Sequence, residues 1–227
     1  MKRKDLNIDI SKVRHFININ VLKNVIFFSG GIVIFILGMV TYGIILNYRE
    51  IALKQLMGEK KITAFENPNL IIDRKNYSLQ LYEDTILVKT YRANFGRNIQ
   101  SPKLLATDGA TPVGEYKVCS LDTSNIYYRL IKINYPNIND AIDALRKNYI
   151  TQREFDSIKY QNEYENCPQF HYKMGGNMGI QGIGKYDIIF RNLPFNFNWT
   201  DGNVAISNED MDELFLVMKK GSKIVIK

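Results

Sequence analysis

The sequence predicts a β-rich domain with a few helices, preceded by one transmembrane helix. Three observations support this fold class. Residues 24–48 contain no charged residue. From residue 67 onward, short β-rich runs alternate with turn clusters, and three segments between these runs carry helix-capping signals. The chain is therefore divided into a basic tail (residues 1–23), a membrane segment (24–48), a linker (49–66) and a folded domain (67–227).

The membrane segment has the length of a signal anchor. As a helix, residues 24–48 would extend about 37 Å, against a hydrocarbon core of about 30 Å. The run is longer than the ~7–15 residues of a cleaved signal core, and residues 46–50 show no small-residue cleavage pattern. Six basic residues precede it and four follow closely, which favours a cytoplasmic N-terminus and a domain exported to the periplasm or cell-wall side. Its glycines, Gly43 among them, are interpreted as ordinary for a membrane helix.

The charge of the chain argues against nucleic-acid binding. The tail through Lys23 carries six basic and two acidic residues, so it holds +4 of the net charge of +7. The remaining +3 is too small to indicate a nucleic-acid surface. The basic tail instead suits the anionic lipid of the inner leaflet.

The domain begins with an antiparallel meander and ends with a strand. Apolar and alternating runs separated by turn residues predict each strand. The predicted strands are residues 70–72, 77–82, 86–93, 117–120, 177–181 and 223–227.

Capping signals mark three helices. The predicted caps are Asn139 or Asp140 for a helix ending at Lys147, Thr151 with Glu154 for a second helix, and Ser207 with Asp210 for a helix over residues 208–220. The apolar stripe of the last helix is Met211, Leu214, Phe215 and Met218, and Gly221 is predicted to end it.

The two cysteines leave two interpretations open. Cys119 and Cys167 both lie on the exported side, where an oxidising compartment allows one disulfide. Two reduced, buried side chains are the alternative.

Five ordered segments of the domain carry a family pattern. They are LIIDRKNYSLQLYEDTILVKTYRANFG, ATDGATPVGEYKV, INYPNINDA, MGGNMGIQG and NWTDGNVAISNEDMDELF. Together they resemble the L,D-transpeptidase (YkuD-type) catalytic domain, in the branch close to ErfK- and YafK-like proteins. The resemblance covers residues 67–227 and implies a β-sandwich or barrel domain.

The resemblance also implies which chemistry to look for. The family uses a cysteine nucleophile, activated by a histidine, to take an acyl group from a peptidoglycan stem peptide. By position, Asn203 replaces that cysteine and Gln181 replaces that histidine. An asparagine amide is scarcely nucleophilic, and a glutamine amide accepts no proton near neutral pH. The expectation is a pseudoenzyme with no catalytic residues.

Binding without turnover is the function that this pattern leaves. Backbone N–H groups around Gly202 and Asn203 would lie at the family's oxyanion hole. The predicted binding residues, for a stem peptide or a cell-envelope protein, are Gly182, Thr200, Gly202, Asn203, Gln181 and Tyr186. A turn kept only for packing is the alternative. The sequence shows no metal-ligand cluster and no phosphate-binding glycine loop, so neither a metal nor a cofactor is expected.

Two other functions stay open. An active transpeptidase or carboxypeptidase with a non-standard nucleophile would need Cys119 or Cys167 beside His171 and the Gly202 turn. A structural envelope protein would have its groove filled by its own aromatic side chains from residues 183–198. That aromatic-rich span is interpreted as a well-packed core segment rather than as a loop over the pocket.

Overall fold

The computed structural model describes residues 19–47, 51–123, 126–165, 167–169 and 173–227. Within these residues it contains six α-helices and eight strands. The helices are α1 (Ile19–Asn47), α2 (Leu53–Glu59), α3 (Ile138–Arg146), α4 (Gln152–Tyr160), α5 (Asp187–Phe190) and α6 (Asn208–Val217). The strands are β1 (Pro68–Asp73), β2 (Ser78–Glu83), β3 (Ile86–Arg92), β4 (Gly114–Asp122), β5 (Leu130–Ile133), β6 (Gly179–Gly182), β7 (Val204–Ile206) and β8 (Lys223–Ile226).

Helix α1 is the expected apolar helix, and it begins before the uncharged run. Its span Ile19–Ile45 is long and apolar enough to cross a membrane, a property that signal sequences share. Most of its described side chains are exposed, but Gly43 is buried, and a Cβ there would lie 2.1 Å from the carbonyl oxygen of Asn192. Gly43 is therefore a contact with the domain. The basic tail through residue 18 lies outside the described residues.

The eight strands form one mixed sheet, in the order β3-β2-β1-β8-β4-β5-β6-β7. The predicted meander is β1, β2 and β3, and β8 lies between β1 and β4. The two ends of the sheet meet, because Asn94, just after β3, and Ala205 in β7 exchange two backbone hydrogen bonds of 2.8 Å. Joining the two edges of a sheet is what makes a barrel. The predicted β-rich barrel-like domain is thereby confirmed.

The main apolar core lies within this curved sheet. In β1, Leu70 and Ile72 are fully buried and alternate with partly exposed residues, as a strand with one buried face requires. Helix α6 adds Met211 and Leu214, both fully buried. Burying each such side chain stabilises the fold by roughly 1.5–3 kcal/mol.

The helix caps confirm two predictions and correct one. Thr151 with Glu154 forms the capping box of α4, and Ser207 caps α6. Helix α3, however, is capped by Asn137 rather than by Asn139 or Asp140, because its Oδ1 accepts the N–H groups of both those residues. Asp140 instead accepts the N–H of Asn137 and completes the box.

Helix α6 ends at Val217, three residues before the predicted end. Pairing with β4 explains the difference: Gly221 donates to the carbonyl of Val118, and Val118 donates to the carbonyl of Ser222. These sheet bonds draw residues 218–222 into a turn that leads to β8, so Lys219 and Lys220 do not lie in the helix.

The segment expected to be a linker is partly folded onto the domain. Leu53, at the start of α2, is buried in the main core, and its N–H donates to Oε1 of Glu213 at 2.8 Å. The same carboxylate pairs with Lys89 of β3 at 2.7 Å. Only residues 48–52 therefore separate the membrane-type helix from the folded domain.

Cys119 of β4 and Cys167 are joined in a disulfide, with their Cα atoms 5.0 Å apart. The bond ties β4 to the stretch that follows the π-helical turn Gln161–Glu165. Of the two interpretations that the sequence left open, the structure has the oxidised one.

Candidate functional site

The turn before β7 is braced by Thr200. Its Oγ1 donates to the carbonyl of Asn203 at 2.6 Å and accepts the N–H of Gly202 at 3.2 Å. Gly202 has a φ of +128°, and a Cβ there would lie 2.6 Å from the carbonyl oxygen of Ala110. Only glycine fits this conformation and this space, so the shape of the turn is fixed by its sequence.

Strands β6 and β7 run parallel and bring Gln181 and Asn203 side by side. Gln181 of β6 pairs with Ala205 of β7, and Asn203 directly precedes β7. The Nδ2 of Asn203 donates to Oε1 of Gln181 at 2.6 Å. The N–H of Gly179 donates to Oδ1 of Asn203 at 3.0 Å, which fixes which end of the asparagine amide faces Gln181.

Both side chains of this pair are amides, and their hydrogen bonds are made within the site. Gln181 is only 2% exposed, and the asparagine amide is bonded at both its oxygen and its nitrogen. Neither amide provides a nucleophilic lone pair or a basic nitrogen at neutral pH. The separation of the two side chains is nevertheless that of a hydrogen-bonded nucleophile and base.

The expected oxyanion hole is partly occupied from within. The N–H of Gly202 is taken by the hydroxyl of Thr200, at 3.2 Å. A donor engaged inside its own turn is less available to a carbonyl oxygen of a bound peptide. Thr200, Gly202, Asn203 and Gln181 are thus brought together, and the described side-chain hydrogen bonds of Thr200, Asn203 and Gln181 are made within this group and to Gly179.

Gly182 and Tyr186 lie outside the hydrogen-bonded group of Thr200, Gly202, Asn203 and Gln181. Gly182 is packed tightly, since a Cβ there would meet Oδ1 of Asn208 at 2.7 Å and the Tyr127 carbonyl at 3.0 Å. Tyr186 is 57% exposed, and its ring contacts are with Phe190 and the ammonium of Lys185. None of the described contacts of Tyr186 reaches Gln181 or Asn203.

The aromatic-rich span 183–198 is not the core segment that the sequence predicted. Its large apolar side chains Tyr186, Ile188, Ile189, Phe195 and Phe197 are between 49% and 65% exposed. Within the span Ile183 is buried, and the half-buried Phe190 has its ring centroid 5.9 Å from that of Trp199, which precedes the turn. The side chains of Arg92 and Asn94 hold the backbone of residues 193–197 by hydrogen bonds.

Asp108 fixes the loop that packs against the Gly202 turn, and the sequence pattern did not identify it as a site residue. Its carboxylate accepts the N–H groups of Leu104, Leu105 and Ala110 and pairs with the buried ammonium of Lys103 at 2.7 Å. Burial alone would raise the pKa of Asp108, but these hydrogen bonds together lower it. The loop so fixed presents the Ala110 carbonyl against Gly202. The aspartate of the ATDGATPVG segment was the available signal.

The other candidate nucleophiles are engaged. Cys119 and Cys167 are bonded to each other, so neither has a free thiol. The hydroxyl of Ser207 donates to Asp210 and accepts its N–H, as a helix cap does. His171 lies outside the described residues. Within the described ranges, no group of three or more His, Cys, Asp or Glu side chains could hold a metal ion.

Comparison with known families gives one match. The profile of the YkuD family, described as the L,D-transpeptidase catalytic domain, matches residues 67–226. No curated protein matches the chain.

Three solved structures with a similar course of the chain are two L,D-transpeptidases and one cell shape determining protein. The L,D-transpeptidase of Xylanimonas cellulosilytica is 14% identical with a TM-score of 0.40, over 73% of this chain and 62% of that one. The helical cell shape determining protein Pgp2 of Campylobacter jejuni is 14% identical with a TM-score of 0.45, over 78% and 55%. An L,D-transpeptidase of Mycobacterium tuberculosis is 14% identical with a TM-score of 0.41, over 71% and 57%. The chain thus covers less than two thirds of each of these proteins.

Proposed function

Because the chain belongs to the YkuD family of L,D-transpeptidase catalytic domains, we propose that it is a membrane-anchored, wall-facing member that has lost the transfer reaction. It acts by binding peptidoglycan stem peptides or a cell-envelope protein. Helix α1 is the anchor, with the N-terminus in the cytoplasm and the domain on the exported side.

One observation carries this proposal. The two positions that would hold nucleophile and base hold amides, hydrogen-bonded to each other at 2.6 Å. The disulfide between Cys119 and Cys167 adds support, because it removes both thiols of the chain as substitutes. It counts against the alternative of an active enzyme with a displaced cysteine nucleophile.

The test restores the two family residues. The full-length chain in detergent is incubated with a tetrapeptide muropeptide, and D-alanine release and cross-linked product are followed by mass spectrometry. The natural chain is expected to give no product. The double variant Gln181→His with Asn203→Cys is expected to give product, because the observed spacing lets an imidazole take the proton of a thiol.

The single variants Gln181→His and Asn203→Cys are the matched controls, since each restores only half of the pair. Product from the natural chain would overturn the proposal. If the double variant folds but gives no product, the result would point instead to a structural role in the envelope without a stem-peptide pocket.

A further inference from the structure

An ordered apolar surface lies on the span between β6 and the Gly202 turn. We define it by five exposed side chains: Tyr186, Ile188, Ile189, Phe195 and Phe197. Exposing several large apolar side chains so close together is unusual for a surface that faces only water.

The backbone beneath this apolar surface is fixed by polar bonds. The guanidinium of Arg92 donates to the carbonyls of Leu193 and Phe195 and, at 2.8 Å, to Oδ1 of Asn196. Oδ1 of Asn94 accepts the N–H of Phe197 at 3.2 Å. These bonds fix the backbone of residues 193–197, so the exposure of Phe195 and Phe197 does not result from a loose loop.

The apolar surface begins where α1 meets the domain. The carbonyl of Asn192, between α5 and Phe195, packs on Gly43 of α1. Gly43 lies four residues before the end of α1 at Asn47, which is about 6 Å along the helix axis. A residue this close to the end of a spanning helix lies near the boundary between hydrocarbon and headgroups.

The tether is too short to carry the domain away from that boundary. Leu53 is already part of the domain core, so only residues 48–52 are available as a spacer. Five residues extend at most ~18 Å. The contact at Gly43 and the short tether both place the apolar surface beside the bilayer.

We propose that this apolar surface inserts into the lipid–water interface of the membrane that α1 spans, as a second attachment of the domain. Aromatic and aliphatic side chains with a neighbouring lysine, here Lys185 over the ring of Tyr186, suit the headgroup level. The inference rests on the membrane anchoring in the proposed function. The occupant is lipid, since a lipid surface continues directly from α1.

The test uses tryptophan as a depth reporter in the full-length chain. Trp199 is the only tryptophan of the sequence, and its buried Nε1 has no hydrogen-bond partner among the described residues. Trp199→Phe therefore gives a background that removes none of the described hydrogen bonds. Phe195→Trp is added to this background. The chain is reconstituted in vesicles of phosphatidylethanolamine and phosphatidylglycerol, with or without bromine atoms high on the acyl chains.

The matched control places the reporter on another exposed aromatic residue, outside this surface. Tyr164→Trp in the same background serves, because Tyr164 is exposed on the π-helical turn and stacks only on Tyr160 among its described ring contacts. We expect brominated lipid to quench most of the emission of Phe195→Trp and to leave that of Tyr164→Trp unchanged. Phe197→Trp is a second reporter, in case the first variant folds poorly.

Flotation of the vesicles separates the two ways of failing. A chain that floats with the vesicles, but whose Phe195→Trp and Phe197→Trp emissions are both unaffected by bromine, overturns the second attachment and leaves the anchor standing. An aqueous quencher gives a further outcome. If both reporters are protected from it only when the protein is dense in the vesicles, a second copy of the chain covers the surface, and the proposal is overturned. A chain that does not float overturns the anchor itself.

Discussion

The hydrogen-bonded pair of Asn203 and Gln181 is predicted to hold the site together, and its contribution to stability can be worked out from the structure. Asn203→Ala removes the acceptor of the Gly179 N–H and the donor to Oε1 of Gln181. Both orphaned groups belong to buried residues. An unsatisfied buried polar group costs about 1–3 kcal/mol, and two are left, so we expect Asn203→Ala to lower the free energy of unfolding by about 2–6 kcal/mol.

Removing the other partner should cost less. Gln181→Leu fills a similar volume, and the partly exposed amide of Asn203 can turn toward water. We expect a loss of about 1–2 kcal/mol from Gln181→Leu. In the double variant only the Gly179 N–H is left unpaired, so the two losses should fall short of adding by about 1–2 kcal/mol.

The assay is urea unfolding of the full-length chain in mild detergent, followed by the fluorescence of Trp199, four residues before Asn203. Asn69→Ala is the matched control, because the amide of Asn69 makes exposed hydrogen bonds that water can replace. If Asn203→Ala is no less stable than Asn69→Ala, or if the two losses simply add, the pair is not a structural lock.

Three further predictions concern the frame of the site. Gly202→Ala should lower the free energy of unfolding by about 1–3 kcal/mol, because it forces a Cβ to 2.6 Å from the Ala110 carbonyl oxygen. Gly58→Ala is the control, because a Cβ at Gly58 meets open space. A Gly202→Ala variant that melts like the natural chain would contradict this prediction. Reducing the disulfide, which closes a loop with a sequence separation of 48, should lower the free energy of unfolding by about 4 kcal/mol on the chain-entropy estimate. The Cys119→Ala, Cys167→Ala double variant is the control and should melt at the same temperature with and without reductant. A natural chain whose stability does not change on reduction would refute the estimate. Burial raises the pKa of Asp140 to about 6, against about 3.9 in an unfolded chain. The folded state therefore holds the proton more tightly, and the free energy of unfolding should fall as pH rises from about 4 to about 6. Asp140→Asn should flatten this pH dependence in chemical denaturation, and a pH dependence that persists would belong to another group.

The local parts of the fold were predictable, and the parts set by distant partners were not. The meander of β1, β2 and β3 follows from alternation and turn residues within some 25 residues of chain. Strand β5, by contrast, is four residues long and was missed, because its extended form depends on pairing with β4 on one side and β6 on the other. The same dependence shortened α6, whose last predicted turn was drawn into bonds with β4.

In the site, residue positions were predictable but their contacts were not. Motif order placed Gln181 and Asn203 in the replaced positions, which the parallel pairing of β6 and β7 then brings together. That the two amides bond each other depends on side-chain conformations 22 residues apart, which no local pattern encodes. The exposure of residues 183–198 was wrongly predicted for a related reason: aromatic content usually signals burial, whereas here Arg92 and Asn94 hold the backbone and leave the rings outside.

The position of β8 has a consequence for how the domain is made. The last strand of the chain is an inner member of the sheet, with β1 on one side and β4 on the other. Until residues 223–226 are available, β1 and β4 lack the strand between them, and the meander is joined to the remaining strands through isolated bridges such as that between Asn94 and Ala205. Long-range pairing of this kind forms late and makes folding slow. The sheet is therefore expected to close only after residues 223–226 have been made, and removal of those few residues should disrupt the sheet in its interior instead of trimming its edge.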